Sequence, residues 1–103
     1  MKRKILFILN PHSGVGRYRR VEGNINRLLD KTVFEYEIKV TQHPGHATEL
    51  ATIAAQDKTD IVAVAGGDGS INEVARAIYN TDTILAIIPT GSGNGLARHL
   101  NIP

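Results

Sequence analysis

The chain has 103 residues, 42% of them hydrophobic and 21% charged, with ten glycines, no cysteine and a net charge of +2. That length fits one domain, at the low end of ~100–200 residues, and the apolar fraction excludes wholesale disorder. Without cysteine there is no disulfide framework, no cysteine metal site and no thiol chemistry.

The charge is unevenly spread. Residues 1–31 carry eight basic side chains against two acidic ones, and residues 32–103 carry four against eight. A basic opening segment suits polyphosphate or an anionic membrane surface, or else is an ordinary solvated helix face. Nucleic acid is not expected as a partner, because stacking aromatics do not alternate with the basic residues. No apolar run reaches the ~18 residues that span a bilayer. The start, Lys2-Arg3-Lys4 followed by Ile5–Leu9, imitates a signal peptide. Its apolar stretch is shorter than the ~7–15 residues of a signal core, so it reads as a first buried strand.

Four strands alternate with helices. Ile5–Leu9, Ile61–Ala65 and Ile84–Ile88 are continuous apolar runs, the pattern of parallel strands covered on both faces. In Val33–Val40, by contrast, Phe34, Tyr36, Ile38 and Val40 alternate with charged residues, as in a half-exposed edge strand. Val21, Ile25, Leu28 and Leu29 form one helical stripe. Ala47, Leu50, Ala51 and Ala54 form a second, and Ile71, Val74, Ala75 and Ile78 a third. A last helical turn is expected from about Gly95. The alternation predicts an α/β fold with a mainly parallel sheet, strand order 2-1-3-4 and helices on both faces, an open three-layer sandwich. The fourth strand reads as an interior strand, yet only fifteen residues follow Ile88. Residues 1–103 are therefore expected to be one domain of a longer protein.

Ligands of open parallel sheets gather at the carboxyl ends of the strands. Seven of the ten glycines fall at that edge: Gly14, Gly66, Gly67, Gly69, Gly91, Gly93 and Gly95. Glycine-rich turns let backbone N–H groups converge on an anion, and a helix starting just beyond adds its own N–H groups. A phosphoester, such as a nucleotide, is the expected ligand. The sequence has no G-x-x-x-x-G-K-[ST] motif, no complete dinucleotide fingerprint and no G-x-S-x-G elbow.

Asp68, set between Gly67 and Gly69, would repel a phosphate unless it binds Mg²⁺ or handles a proton. Its plain structural alternative is an Asx turn within its own loop. Ser70 and Glu73 form a capping box ahead of the third helix, with Ser70 also able to donate to a phosphate. Asn72 faces away from the apolar stripe, where a ligand contact is open to it. Thr41 taken alone is an ordinary strand residue, and Asn94 taken alone is a helix cap. His12, His43, His46 and His99 show no metal-ligand spacing, and His46 reads as a cap or loop contact.

Four blocks carry a resemblance. Asn10-Pro11-His12-Ser13-Gly14, Thr41–Ala47, Gly66-Gly67-Asp68-Gly69-Ser70-Ile71-Asn72-Glu73-Val74 and Pro89–Ala97 resemble the diacylglycerol kinase catalytic-domain superfamily, which includes sphingosine, ceramide and bacterial lipid kinases. The resemblance implies an N-terminal nucleotide-binding domain of NAD kinase/diacylglycerol kinase-like fold, completed by a β-rich second domain outside residues 1–103. It implies ATP and Mg²⁺, and transfer of a phosphoryl group to a diacylglycerol or sphingosine-like lipid. The site it implies comprises Asn10, Ser13, Gly14, Thr41, Gly66, Gly67, Asp68, Gly69, Ser70, Ile71, Asn72, Gly91, Ser92, Gly93 and Asn94, with Glu73 and Arg17 in support. Asp68 is then base, Mg²⁺ ligand or loop organiser. Ser70 stands where the family more often has threonine, and Gly95 where many members have aspartate. The substrate class implies a cytoplasmic protein, peripheral at the inner membrane face, with a homodimer open. An NAD kinase-like enzyme with a soluble acceptor and a non-catalytic nucleotide-binding module are the alternatives.

Overall fold

Strand and helix alternate in the computed structural model, which describes residues 2–11 and 15–88. In chain order they are β1 (Arg3–Leu9), α1 (Val15–Leu28), β2 (Phe34–Val40), α2 (His46–Gln56), β3 (Ile61–Ala65), α3 (Asp68–Ile78) and β4 (Ile84–Ile87). All strand pairs are parallel, in the order β2-β1-β3-β4. The order expected from the apolar patterning is the order observed.

The pleat sorts the core into two layers, because successive strand side chains point to opposite faces. Ile5, Phe7 and Leu9 of β1 pack with Ile61, Ala63 and Ala65 of β3 against Val21, Ile25 and Leu29. Leu6, Ile8, Val62 and Val64 pack on the other face against Ala47, Ala51 and Ala54 of α2 and Val74 and Ile78 of α3. The alanines let α2 lie close to the sheet. The result is α1 on one face, α2 and α3 on the other. Phe7 also meets Tyr36 edge to face, with ring centroids 6.0 Å apart, an arrangement aromatic pairs favour. Ile25 is fully buried in the α1 layer. Ile25→Val should cost about 1 kcal/mol, the usual loss for one buried methyl group, read as a lower urea midpoint at unchanged slope.

One expectation changes. Leu28 is 43% exposed while Leu29 is buried, since the stripe on α1 is one residue wide at its end. β4 ends the described sheet, with Ile84 48% and Ile87 42% exposed. No described strand or helix covers that edge. Residues 89–103, with the helical turn expected from Gly95, lie outside the described residues.

The register positions the site. Leu9 pairs with both Val40 and Ala65, so β1, β2 and β3 end level with one another. Asn10, Thr41 and Gly66 therefore leave the sheet side by side. Backbone bonds carry the alignment one residue further, from Asn10 N–H to the Ala65 carbonyl at 3.0 Å and from Thr41 N–H to the Leu9 carbonyl at 2.9 Å.

Candidate active site

A cavity of about 340 Å³ opens at this edge, within the size range of small-molecule sites. Asn10 and Pro11 border it after β1, and Gly69, Ser70 and Glu73 border it from α3. Thr41, Gln42, His43, Pro44 and Ala47 close the third side.

Ser70 ties two of these walls together. Asn10 Nδ2 donates to Ser70 Oγ at 2.7 Å, across sixty residues of sequence, and Ser70 is 4% exposed. Gly66 makes room for the pair. A Cβ there would lie 3.1 Å from Asn10 Cβ and 3.2 Å from both Ser70 Cβ and Oγ, tighter than close-packed atoms tolerate.

The capping box expected from Ser70 and Glu73 is absent. α3 begins at Asp68, two residues ahead of Ser70, with Gly67 as its N-cap and no side-chain cap bond. Ser70 is inside the first turn and its hydroxyl is taken by Asn10. Glu73 instead accepts from Thr48 Oγ1 of α2 at 3.4 Å. The first N–H groups of α3 are thus left uncapped by any described side chain, at the positive end of the helix dipole.

Asp68 is exposed and has no side-chain partner among the described residues, so it makes no Asx turn. Gly67 and Gly69 meet nothing within 4 Å where a Cβ would stand, and neither has a positive φ. The described protein makes no demand for glycine at either position. Asn72 is exposed, as expected, and Ile71 is partly buried against the α2–α3 core.

Thr41 Oγ1 contacts the Leu9 carbonyl only at 3.5 Å, which leaves the hydroxyl weakly engaged at the cavity wall. His46 makes the loop contact expected of it, its Nδ1 accepting from the Gln42 N–H at 3.0 Å. Gly45, at φ 84°, turns the chain into α2 through a conformation that suits glycine. Gln42, His43 and Pro44, within the Thr41–Ala47 block but not among the expected site residues, also line the cavity. Their signal was their place in that block, in the loop that follows β2 at the ligand edge. Ser13, Gly14, Gly91, Ser92, Gly93 and Asn94 lie outside the described residues, as does the side chain of Arg17.

Known proteins resemble this chain in sequence and fold. Residues 4–103 match the diacylglycerol kinase catalytic domain. The chain belongs to that family. It is 33% identical to a diacylglycerol kinase of Staphylococcus saprophyticus, across 100% of this chain and 34% of that protein. It is 35% identical to a diacylglycerol kinase of Bacillus subtilis, across 93% of this chain and 32% of the relative. A crystal structure of a diacylglycerol kinase from Bacillus anthracis superposes with a TM-score of 0.64 at 30% identity, covering 84% of this chain and 32% of the other. The chain thus spans about a third of the length of these relatives. The α/β architecture and the kinase family expected from the four blocks are the ones found. No helix among the described residues is long and apolar enough to cross a membrane.

Ser70→Ala would remove the part-buried bond from Asn10 Nδ2. A typical intramolecular hydrogen bond contributes roughly 0.5–1.5 kcal/mol to stability. The expected result is a fall in urea-unfolding free energy within that range.

Proposed function

We propose that this chain is the ATP-binding part of a lipid kinase, with the lipid site completed by polypeptide beyond residue 103. The observation that carries the reading is the α3 N-terminus, capped by no described side chain, beside two glycines that the described protein does not itself require. Free N–H groups at a helix start bind phosphate, and missing Cβ atoms let it come close. Glu73 carries its carboxylate at the cavity wall, which turns phosphate away from that side. The triphosphate then lies on the Gly66–Ser70 turn. The nucleoside fills the cavity, where the Thr41 hydroxyl and the Glu73 carboxylate can meet ribose or base hydrogens.

Mg²⁺ fits the donor set. It takes one or two carboxylates and otherwise phosphate and water oxygens, and Asp68 offers at the head of α3 one carboxylate that no described side chain engages. When bound, the ion neutralises charge on the phosphate oxygens. In the transfer itself the lipid oxygen bonds to the γ-phosphorus and the bond to the ADP oxygen breaks. The hydroxyl proton leaves to a carboxylate base, a second role open to Asp68. Catalysis of this kind is mostly positioning and charge stabilisation. The reaction belongs to the cytoplasm, at the inner face of the membrane that supplies the lipid.

Radiolabelled phosphate transfer from Mg²⁺-ATP tests this, using the full-length protein against a panel of diacylglycerol, sphingosine-like lipid and NAD. Label in one lipid class is the expected result. Label in NAD alone would replace the lipid acceptor with a soluble one, and ATP binding without transfer would leave a binding module.

A further inference from the structure

The third wall of the cavity hangs on one imidazole. His46 Nδ1 accepts the Gln42 N–H at 3.0 Å, and Gln42 directly follows Thr41 in the wall. An imidazole nitrogen that accepts a hydrogen bond carries no proton, so the neutral ring holds its hydrogen on Nε2. His43 stacks on this ring, with centroids 4.6 Å apart and planes 18° from parallel. Its Nδ1 lies 2.9 Å from the Pro44 carbonyl oxygen, which can only accept, so that nitrogen is the protonated one. Its Nε2 lies 3.9 Å from Glu49 Oε2.

A metal site is the first thought, since ligand atoms of His43, His46 and Glu49 all lie within 4.8 Å of one another. The geometry argues against it. Imidazole lone pairs lie in the ring plane, so two nearly parallel stacked rings do not aim at one ion. The His46 Nδ1 lone pair is also already engaged by Gln42.

We propose that His46 is a positioning residue for nucleotide binding: neutral His46 holds Gln42 in the cavity wall beside Thr41, and a proton on Nδ1 releases it. The inference rests on the reading of this cavity as the nucleotide site. A protonated Nδ1 is a donor facing another donor, so the bond to Gln42 is lost. The binding-competent form thus carries one proton fewer, and ATP affinity falls as pH falls. The charged and titratable groups around the ring, among the described residues, are His43 from the loop and Glu49 from the first turn of α2, while Glu73 of α3 lines the same cavity and bonds to Thr48. A proton taken by His43 on Nε2 meets Glu49 and breaks no bond. A proton on His46 Nδ1 breaks the one that shapes the wall.

Two variants separate this from a purely structural role. His46→Asn places Oδ1 near the position of Nδ1, as an acceptor that does not titrate, and His46→Ala removes the acceptor. Two readouts are taken from about pH 5.5 to 8, where imidazole ordinarily changes charge: hydrogen exchange of the Gln42 amide without nucleotide, and the Kd for Mg²⁺-ATP. In the unaltered chain the amide should be protected at the upper pH and lose protection as pH falls. His46→Asn should protect it throughout and His46→Ala at neither end. At pH 8 the Kd should rise about tenfold in His46→Ala, equivalent to about 1.4 kcal/mol, and stay within about twofold in His46→Asn. Equal Gln42 exchange in the unaltered chain and His46→Ala overturns the inference, as does a His46→Asn variant that keeps the original pH dependence of affinity. If the unaltered chain fails to bind ATP at any pH, the nucleotide reading falls and the positioning role with it, while the amide still decides whether His46 holds the loop.

Discussion

Asp68→Asn should lower phosphate transfer by the full-length protein about a thousandfold and lower stability only slightly. The second half follows from packing: Asp68 is exposed and bonded to no described side chain, so the fold loses only the attraction of its charge to the α3 N-terminus. That attraction is worth about 0.3–1 kcal/mol. The first half follows from the proposed chemistry. Removing an electrostatic group aimed at a reacting centre typically costs ~10²–10³ in turnover, and loss of a general base a further share. The two roles open to Asp68 leave different marks. A metal ligand shows as a raised Mg²⁺ requirement, partly relieved by excess Mg²⁺. A base shows as loss of the acid limb of the pH–rate profile. Near-normal turnover would remove Asp68 from the chemistry altogether.

Gly69→Ala should move stability and binding in opposite directions. Gly69 is the second residue of α3 with a negative φ, and a Cβ there meets nothing described within 4 Å. Alanine is the better helix former, by up to ~1 kcal/mol in a helix interior, so unfolding free energy should rise by about 0.5 kcal/mol in this first turn. The added methyl group enters the cavity edge where phosphate would approach the N–H groups. Mg²⁺-ATP affinity should fall about a hundredfold, or ~2.7 kcal/mol. Calorimetry on one preparation reads both. A variant that is more stable and binds ATP as before would mean the glycine turn is not the phosphate cradle.

Much of the scaffold was legible because it is written in local periodicity. β3 begins and ends where its apolar run does, at Ile61 and Ala65. The alternation in β2 matches its alternating burial, and the continuous apolar runs of β1 and β3 match their full burial beyond the β1 start. What failed was non-local. Ser70-x-x-Glu73 has the spacing of a capping box, but Ser70 is claimed by Asn10 from another strand end and Glu73 by Thr48 from another helix. No local pattern encodes either bond. In the site, glycines and Asp68 stood out by composition. His46 was legible as a loop contact, but its partner, the Gln42 N–H, was not, because that bond depends on how the loop closes on itself.

The central claim is that phosphate binds at the glycine turn that starts α3, with the nucleoside in the cavity beside it. Amide chemical-shift mapping of this chain during titration with Mg²⁺-ATP tests it most directly. The account predicts the largest shifts at Gly66–Asn72, with smaller ones at Asn10 and Thr41–His43 and none at the opposite sheet edge around Asp57–Thr59. Saturable shifts centred on that opposite edge, or none at all at millimolar ATP, would contradict it.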